Sequence, residues 1–130
     1  MIKEKTQKEW KEVLPPEVYH ILWEKGTEPP FTEKSNIKYH DGVFICSGCG
    51  NRLFKLNDKY DSGSGWPSFY NVATMNSITQ HTDESFGMKR IEVRCKNCGG
   101  HLGHVFDDGP LPTKKRYCIN SLALKFEVEK

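Results

Sequence analysis

The chain has 130 residues, which is enough for one domain with its own core but not for two. Apolar residues are slightly scarcer than in ordinary globular domains, and the net charge of +2 is spread along the chain. These figures argue against nucleic-acid and membrane partners, because the sequence has neither a basic cluster nor an apolar run of about 18 residues. Residues 1–11 alternate in charge without the apolar segment of a signal peptide, so we expect a cytoplasmic protein with reduced thiols.

The first part of the chain predicts two short helices. Residues 6–9, TQKE, have the form of a capping box, and the apolar residues that follow at helical spacing stop at Pro15. Pro16 suits the first turn of a second helix, and Gly26 supplies its C-terminal turn. Residues 27–31, TEPPF, are expected to be extended, because each proline disfavours helix in the residue before it.

From residue 37 onward the pattern is typical of antiparallel β structure. Residues 39–45 predict a hairpin on an Asp-Gly turn, and residues 88–94 alternate between apolar and polar side chains. Other signals predict strands at 78–82, 104–106, 116–121 and 122–128. The sequence therefore predicts a mainly β fold in a single domain over 1–130, with about residues 1–35 forming a helical and extended segment that packs on the β core.

Two copies of the motif C-x-x-C-G, at 46–50 and 95–99, each follow a predicted strand. Two intervening residues let both thiolates turn towards one ion, and the glycine accepts a left-handed backbone. The 45 residues between Cys49 and Cys95 exceed the spacing of a compact zinc ribbon, so a subdomain must separate the two halves. Two separate redox pairs are the alternative, which fits poorly because neither motif lies between a strand and a helix. The predicted ligands of one closed, structural zinc site are Cys46, Cys49, Cys95 and Cys98.

Cys118 is the cysteine that the zinc prediction leaves over. If residues 116–121, RYCINS, form a strand, Arg116, Cys118 and Asn120 share one face. A guanidinium beside a thiol favours the nucleophilic thiolate, and an amide can hold a polar substrate atom. The alternative is that Cys118 is a small buried apolar residue, and the residues alone leave both interpretations open.

Two further groups of residues are candidates for the same site. His101 and His104 offer imidazoles suited to proton transfer, but residues three apart in a strand face one pocket only if Gly103 makes a bulge or the segment is irregular. Otherwise they are ordinary surface or core histidines. The predicted loop 61–69 carries Trp66 and Phe69, and an indole face there could receive a methyl or thioether group. A tryptophan at the rim of the core is the alternative.

Four motifs follow one another along the chain: DSGSGWPSF (61–69), GMKRIEVRC (87–95), HLGHVFDDGP (101–110) and RYCINS (116–121). Together they resemble methionine-R-sulfoxide reductases of the B type, and the resemblance runs from about Trp10 to Phe126. The resemblance implies two small antiparallel sheets with short N-terminal helices, zinc at the four paired cysteines and a nucleophile at Cys118.

The resemblance also implies a reaction, in which the R epimer of methionine sulfoxide in oxidised proteins or peptides is reduced to methionine. The Cys118 thiolate attacks the sulfoxide sulfur and becomes a sulfenic acid. His104 in the first place, and His101 in the second, delivers a proton to the departing oxygen.

The same resemblance assigns roles to the neighbouring side chains. Arg116 and Asn120 would favour the thiolate and orient the S=O group. Trp66 would hold the methyl group of the substrate against its ring, with Phe69 as a second contact. These roles remain expectations at this point.

One departure from the family pattern concerns the recycling of the enzyme. Many family members carry a cysteine in the Gly-x-Gly-Trp loop that attacks the sulfenic acid, whereas this chain has Ser64 there. We hypothesise that an external thiol, from thioredoxin or a small molecule, reduces Cys118 directly. A cysteine of the zinc site is the less favoured source, because its use would dismantle the site. We further predict a monomer.

Two other functions compete with the enzyme. A zinc-stabilised β module that binds a protein partner would have the same fold, but it leaves Cys118 and the paired histidines without a purpose. A nucleic-acid-binding zinc ribbon is the third hypothesis, and the scattered charge argues against it.

Overall fold

A computed structural model describes residues 7–28, 42–60, 62–84 and 87–128. Helix α1 spans Gln7–Val13 and helix α2 spans Pro16–Trp23, so a break falls at Pro15 and Pro16 begins the second helix as predicted. Thr6 of the predicted capping box, the segment 29–31 and the first half of the hairpin predicted at 39–45 lie outside the described residues.

The C-terminal turn of α2 differs from the prediction in its left-handed residue. Lys25, with φ 53°, takes the conformation that was expected of Gly26. Gly26 closes the turn instead, because its N–H donates to the His20 carbonyl at 2.9 Å. A Cβ on Gly26 would also collide with the His20 ring. The glycine therefore leaves room for the His20 ring in this rotamer and does not supply a positive φ.

The described residues contain nine strands in two antiparallel sheets, which confirms the predicted fold class. One sheet has the order β2-β1-β9, and the other has the order β3-β4-β8-β7-β6-β5. The strands are β1 Gly42–Cys46, β2 Arg52–Lys55, β3 Lys59–Tyr60, β4 Ser68–Phe69, β5 Ile78–Asp83, β6 Arg90–Cys95, β7 His101–Phe106, β8 Arg116–Ile119 and β9 Leu124–Val128.

Several strand boundaries differ from the sequence prediction. Ser68–Phe69 is a strand inside the predicted loop, where it joins β3 to β8. A strand of two residues is too short to show an alternating sequence pattern, so it is recognised only from its pairing with β3 and β8. The chain leaves β8 after Ile119, and Ser121–Ala123 forms a 3-10 turn before β9.

Strand β7 contains a bulge that decides which side chains share a face. Val93 of β6 pairs with Gly103 and Arg94 pairs with His101, so Leu102 is the extra residue. The sequence analysis required a bulge at Gly103 or an irregular segment for both histidines to face one pocket, and the structure has a bulge one residue before Gly103. Gly103 has a different purpose, because a Cβ there would collide with the Cys118 carbonyl of β8.

The N-terminal helices cover one end of the six-stranded sheet. α2 contacts β7 and the 3-10 turn, and the Trp10 and Trp23 rings stack with centroids 5.6 Å apart. Trp10, Ile21 and Leu22 belong to the same buried cluster as Phe54 of β2. Among the described residues, neither helix has the length and apolar character that a membrane span requires.

Candidate active site

Cys118 lies in the middle of the larger sheet, between two partners in exact register across the strands. It pairs with Ser68 of β4 on one side and with His104 of β7 on the other. The half-buried thiol opens into a cavity of about 160 Å³. The cavity is lined by Thr27, Trp66, Arg90, Gly103, His104, Phe106, Arg116, Cys118 and Asn120.

Burial is the largest influence on the Cys118 thiol, and it raises the pKa above the usual 9.0. A hydrogen bond with Ser64 and the charge of Arg116 act in the opposite direction and do not outweigh burial. The sequence predicted a thiol pushed towards the thiolate, and the structure has the resting thiol protonated instead. Formation of the thiolate therefore needs a change in the surroundings, such as entry of a substrate or removal of the proton by a base.

The Arg116 guanidinium lies beside the Cys118 thiol, and it also forms an ion pair and an aromatic contact. Nε and Nη2 donate to the two carboxylate oxygens of Asp108 at 2.8 and 3.1 Å. The guanidinium carbon lies 4.3 Å from the centre of the Phe106 ring. A bidentate ion pair and an aromatic face together hold the cation in one orientation at the cavity wall.

His104 is held by a buried carboxylate that the sequence analysis did not identify. Its Nε2 lies 2.8 Å from Asp83 Oδ2, and Arg90 Nη2 lies 3.7 Å from the same oxygen. A carboxylate only accepts hydrogen bonds, so Nε2 carries the proton of this contact. Nδ1 is then the nitrogen that is able to take up and release a proton.

His101 lies behind His104 rather than in the cavity. The bulge at Leu102 brings the two rings to 5.5 Å between centroids, in an edge-to-face arrangement. His101 Nδ1 lies 2.7 Å from Glu92 Oε2, and both side chains are buried. Burial lowers the pKa of His101 below 6.5 despite the carboxylate. Burial opposes ionisation of Glu92, but hydrogen bonds from Arg94 and His101 lower its pKa to about 2.

Asn120 and Trp66 are joined to the N-terminal segment through Glu28. The Glu28 N–H donates to Asn120 Oδ1 at 3.1 Å, and the Glu28 carbonyl accepts from Trp66 Nε1 at 2.9 Å. The buried Glu28 carboxylate accepts from the N–H groups of Ser121 and Leu122 at 2.7 and 2.9 Å. Glu28 thereby fixes the cavity wall on both sides of the thiol.

Asn120 is more constrained than the sequence suggested. Its Nδ2 donates to the Leu102 carbonyl at 3.0 Å, so both ends of the amide bond to the protein. The side chain is buried although it borders the cavity. Its amide therefore holds β7 and the N-terminal segment in place, and these two bonds use only one of the two N–H groups of Nδ2.

Phe69 is the predicted substrate contact that the structure places elsewhere. Its ring is fully buried and stacks on Phe54 with centroids 4.4 Å apart, and it meets Phe44 edge on. Phe69 follows Ser68 in β4, so its side chain points to the opposite face of the sheet from Cys118. It belongs to the core between the two sheets.

The four paired cysteines form a second cluster, and their Sγ atoms all lie within 4.8 Å of one another. The knuckles extend from different sheets, since Cys46 ends β1 and Cys95 ends β6. The Cys46–Cys98 and Cys49–Cys95 sulfurs are 3.8 and 3.5 Å apart. Four sulfurs about 2.3 Å from a tetrahedral ion would lie about 3.8 Å from one another, so the donor set fits a closed metal site.

The glycines after the knuckles have the backbone that the motif predicted. Gly50 has φ 81° and Gly99 has φ 83°. Each donates its N–H to the carbonyl of the first cysteine of its motif, at 2.9 and 2.8 Å. The two knuckles are therefore turns of the same kind, and each presents its two sulfurs to the same point.

A family profile described as SelR domain matches residues 14–128. The chain belongs to the SelR family. The resemblance deduced from the four motifs is thereby confirmed, and the match extends over both the cysteine cluster and the cavity.

Relatives named peptide methionine sulfoxide reductase MsrB are similar to this SelR chain over nearly its whole length. One from Methanosarcina barkeri is 52% identical over 126 residues, covering 97% of this chain and 89% of the relative. One from Leptospira interrogans is 50% identical over 125 residues, covering 96% and 95%. One from Agrobacterium fabrum is 49% identical over 123 residues, covering 95% and 91%.

A solved structure titled "Crystal Structure of Mis18 'Yippee-like' Domain" shares the fold. Its TM-score is 0.55 at 18% sequence identity, and the alignment covers 70% of this chain and 99% of that one. A likeness at this identity concerns the arrangement of strands alone. It indicates that the fold is also used outside the SelR family, as fold and function vary independently.

Proposed function

We propose that this chain reduces the R epimer of methionine sulfoxide in oxidised proteins or peptides to methionine, with Cys118 as the nucleophile. Its membership of a family of peptide methionine sulfoxide reductases gives the reaction class. The observation that supports the assignment of residues is the pairing of Cys118 with His104 across β7 and β8 at the cavity. A nucleophile and an acid-base group on adjacent strands can act on two neighbouring atoms of one substrate.

The substrate side chain enters the cavity with its methyl group against Trp66. The hydrogen bond from Nε1 to the Glu28 carbonyl lies at the edge of the indole ring and fixes its orientation. The face of the ring therefore remains available to an apolar group. The sulfoxide oxygen is the polar end of the substrate and lies towards His104 and the remaining N–H of Asn120. An arrangement with three distinct contacts around a chiral sulfur distinguishes its two epimers.

The chemical step transfers one oxygen atom to Cys118. His104 takes the thiol proton and delivers it to the sulfoxide oxygen, while the Cys118 sulfur attacks the substrate sulfur and the oxygen moves to Cys118. The thiol and the sulfoxide become a sulfenic acid and a thioether. The substrate sulfur is reduced by two electrons and the cysteine sulfur is oxidised by two.

Two carboxylates, those of Asp83 and Glu92, hold the two histidines for the proton transfer. Asp83 holds the His104 tautomer and the orientation of its ring through the contact with Nε2. His101 and its partner Glu92 support the ring from behind, and the lowered pKa of His101 keeps it neutral beside the imidazolium. His101 is therefore a positioning residue in this proposal, and His104 is the acid.

The four-cysteine cluster would hold one zinc ion with a structural role. Four thiolates fill a tetrahedral site and leave no position for a substrate. The ion would tie the end of β1 to the end of β6 and so join the two sheets. Its contribution is to the folded arrangement around the cavity rather than to the reaction.

Recycling of Cys118 needs a thiol from outside the chain. Ser64 Oγ lies 4.0 Å from Cys118 Sγ, and a serine cannot form a disulfide. One external thiol reacts with the sulfenic acid: its sulfur bonds to Cys118, the S–OH bond breaks, and the thiol proton leaves with the hydroxide as water. A second thiol then attacks the mixed disulfide and releases the reduced enzyme. We propose thioredoxin or a small-molecule thiol as the reductant, and a monomer acting in the cytoplasm, where such thiols are abundant.

The test is to incubate the protein with a racemic peptide sulfoxide and dithiothreitol and to resolve the epimers that remain. We expect the R epimer to disappear and the S epimer to persist. Cys118→Ser should abolish turnover, with zinc and thermal stability retained. After one turnover without reductant, mass spectrometry should find one added oxygen on Cys118. Turnover by Cys118→Ser, or loss of the S epimer, would contradict the proposal.

A further inference from the structure

Three serine hydroxyl groups form a chain that ends at the Cys118 sulfur. Ser64 Oγ lies 4.0 Å from Cys118 Sγ and 2.8 Å from Ser62 Oγ. Ser62 Oγ lies 2.7 Å from Ser68 Oγ, and the Ser68 hydroxyl donates to the Trp66 carbonyl at 3.1 Å. Ser68 is fully buried and pairs with Cys118 across β4 and β8. The series of hydroxyl groups therefore runs from the Cys118 sulfur to Ser68 on β4, the strand that pairs with β8.

A protonated Cys118 allows every link of this chain to carry one proton. The thiol donates to Ser64, Ser64 to Ser62, Ser62 to Ser68, and Ser68 to the Trp66 carbonyl. The backbone N–H groups of Ser64 and Trp66 donate to Ser62 Oγ and Ser64 Oγ, each at 3.3 Å. These two bonds hold the oxygen atoms in place whichever way the hydroxyl protons point.

A thiolate leaves three protons for the same four links. If the Ser64 hydroxyl donates to the sulfur, the Ser62 hydroxyl must donate to Ser64 Oγ and the Ser68 hydroxyl must donate to Ser62 Oγ. The bond to the Trp66 carbonyl, the longest of the three oxygen-oxygen contacts, is then given up. Once Ser64 donates to the sulfur, any other arrangement would leave two hydroxyl oxygens less than 3 Å apart with no proton between them.

We propose that Ser62, Ser64 and Ser68 form a hydroxyl relay that reverses its direction when Cys118 ionises. The relay rests on the proposed role of Cys118 as the nucleophile and assigns three positioning residues to the same reaction. Each hydroxyl rotates and keeps its own proton, so the relay transfers no charge. The thiol proton leaves through His104 to the sulfoxide oxygen, and the relay returns to its first direction when the sulfenic acid forms.

The charged groups around Cys118 act separately from the relay. Arg116 favours the thiolate, whereas Glu28 of the N-terminal segment disfavours it. His104 stands opposite on β7, and Tyr60 of β3 is a phenol whose own pKa is raised, chiefly by burial. The relay itself is neutral, so its effect can be measured while all of these charges are kept.

The experiment measures the pH dependence of Cys118 alkylation by iodoacetamide in the zinc-loaded protein, with the modified peptide identified by mass spectrometry. Ser64→Ala should raise the thiol pKa by about one unit, because it removes a hydrogen bond to the charged form. Ser64→Thr keeps a hydroxyl and should restore the original value. Ser77→Ala is the matched control, since Ser77 is buried and donates to the Arg52 carbonyl at 2.7 Å.

Ser68→Ala should lower the pKa by about half a unit, because ionisation no longer costs the bond to the Trp66 carbonyl. Ser62→Ala should act in the same direction, which provides a second variant if Ser68→Ala does not fold. In a protein that already carries Ser64→Ala, adding Ser68→Ala should not change the thiol pKa further, because the series of hydroxyl groups no longer reaches the sulfur.

The relay is overturned if Ser64→Ala leaves the pKa unchanged or if the Ser68→Ala effect persists in the Ser64→Ala background. Alkylation requires no turnover, so this result is independent of the reaction assigned to the chain. Failure of the proposed function would appear as turnover by Cys118→Ser, whereas failure of the relay would leave Cys118→Ser inactive and would appear in the alkylation profiles. Below the thiol pKa, single-turnover reduction should be roughly tenfold slower in Ser64→Ala, following its thiolate fraction.

Discussion

The cysteine cluster and the cavity around Cys118 use the same kind of atom in opposite ways. In the cluster, four sulfurs from strand ends and turns of two sheets lie within 4.8 Å of one another. In the cavity, a single sulfur lies in the middle of a strand, opposite an imidazole and beside a hydroxyl. The cluster sulfurs face one another, whereas Cys118 faces an open space.

The difference shows that the position in the strand decides the chemistry of each sulfur. A cysteine at a strand end is followed by a turn that can bring a second sulfur to the same point, as Gly50 and Gly99 allow. A cysteine in mid-strand has fixed neighbours on both sides, here Ser68 and His104. Its reactivity is therefore set by those neighbours and by burial. Three predictions test this comparison.

The largest effect is expected from Cys95→Ser, which removes one member of the cluster. Metal binding and folding are coupled in such sites, so we expect loss of stoichiometric zinc and a fall of several kcal/mol in the free energy of unfolding. Zinc analysis and urea denaturation measure the two quantities. Cys118→Ser is the matched control and should keep both. Equal zinc content in the two variants would contradict the division between the sites.

The next effect concerns the imidazole opposite Cys118. His104→Gln should lower kcat by about 10²- to 10³-fold, because it removes the proposed acid while zinc and stability are kept. His101→Gln should cost less, because that ring lies behind His104. His81→Gln on β5 is the control, since its ring bonds to Thr79 away from the cavity. A greater loss in His101→Gln than in His104→Gln would exchange the two roles.

The smallest effect is expected at the carboxylate behind His101. The pKa of His101 lies below 6.5, so its buried neutral ring contributes stability above that pH, which is lost as the pH falls towards the folded pKa. Glu92 opposes this lowering, so Glu92→Gln should lower the His101 pKa further, by about one unit. NMR titration of the unmodified protein and of the variant measures this change in the His101 pKa. A His101 midpoint above 6.5 in the unmodified protein would contradict the assignment.

The sequence predicted those parts of the site that depend on local spacing. The paired C-x-x-C-G motifs and the shared face of Arg116 and Cys118 follow from turn and strand geometry within a few residues. Both side chains line the cavity, as predicted. The same reasoning was less exact for Phe69. Its strand has only two residues, which is too short for an alternating pattern to show that the ring points into the core.

The supporting acids could not be predicted, because their partners are distant in the chain. Asp83 lies 21 positions from His104, and Glu28 lies 92 positions from Asn120. Only the pairing of the strands and the packing of the N-terminal segment bring these groups together. The raised pKa of Cys118 was missed for the same reason, since burial depends on the whole fold and not on the adjacent arginine.

The bonds of Glu28 have a consequence for any local opening of the cavity. Glu28 contacts Asn120, Trp66 and the backbone of residues 121–122 at once, so an opening that releases Glu28 loosens all of these contacts together. The wall of the cavity therefore opens and closes as one cooperative unit, and the surroundings of Cys118 change with it.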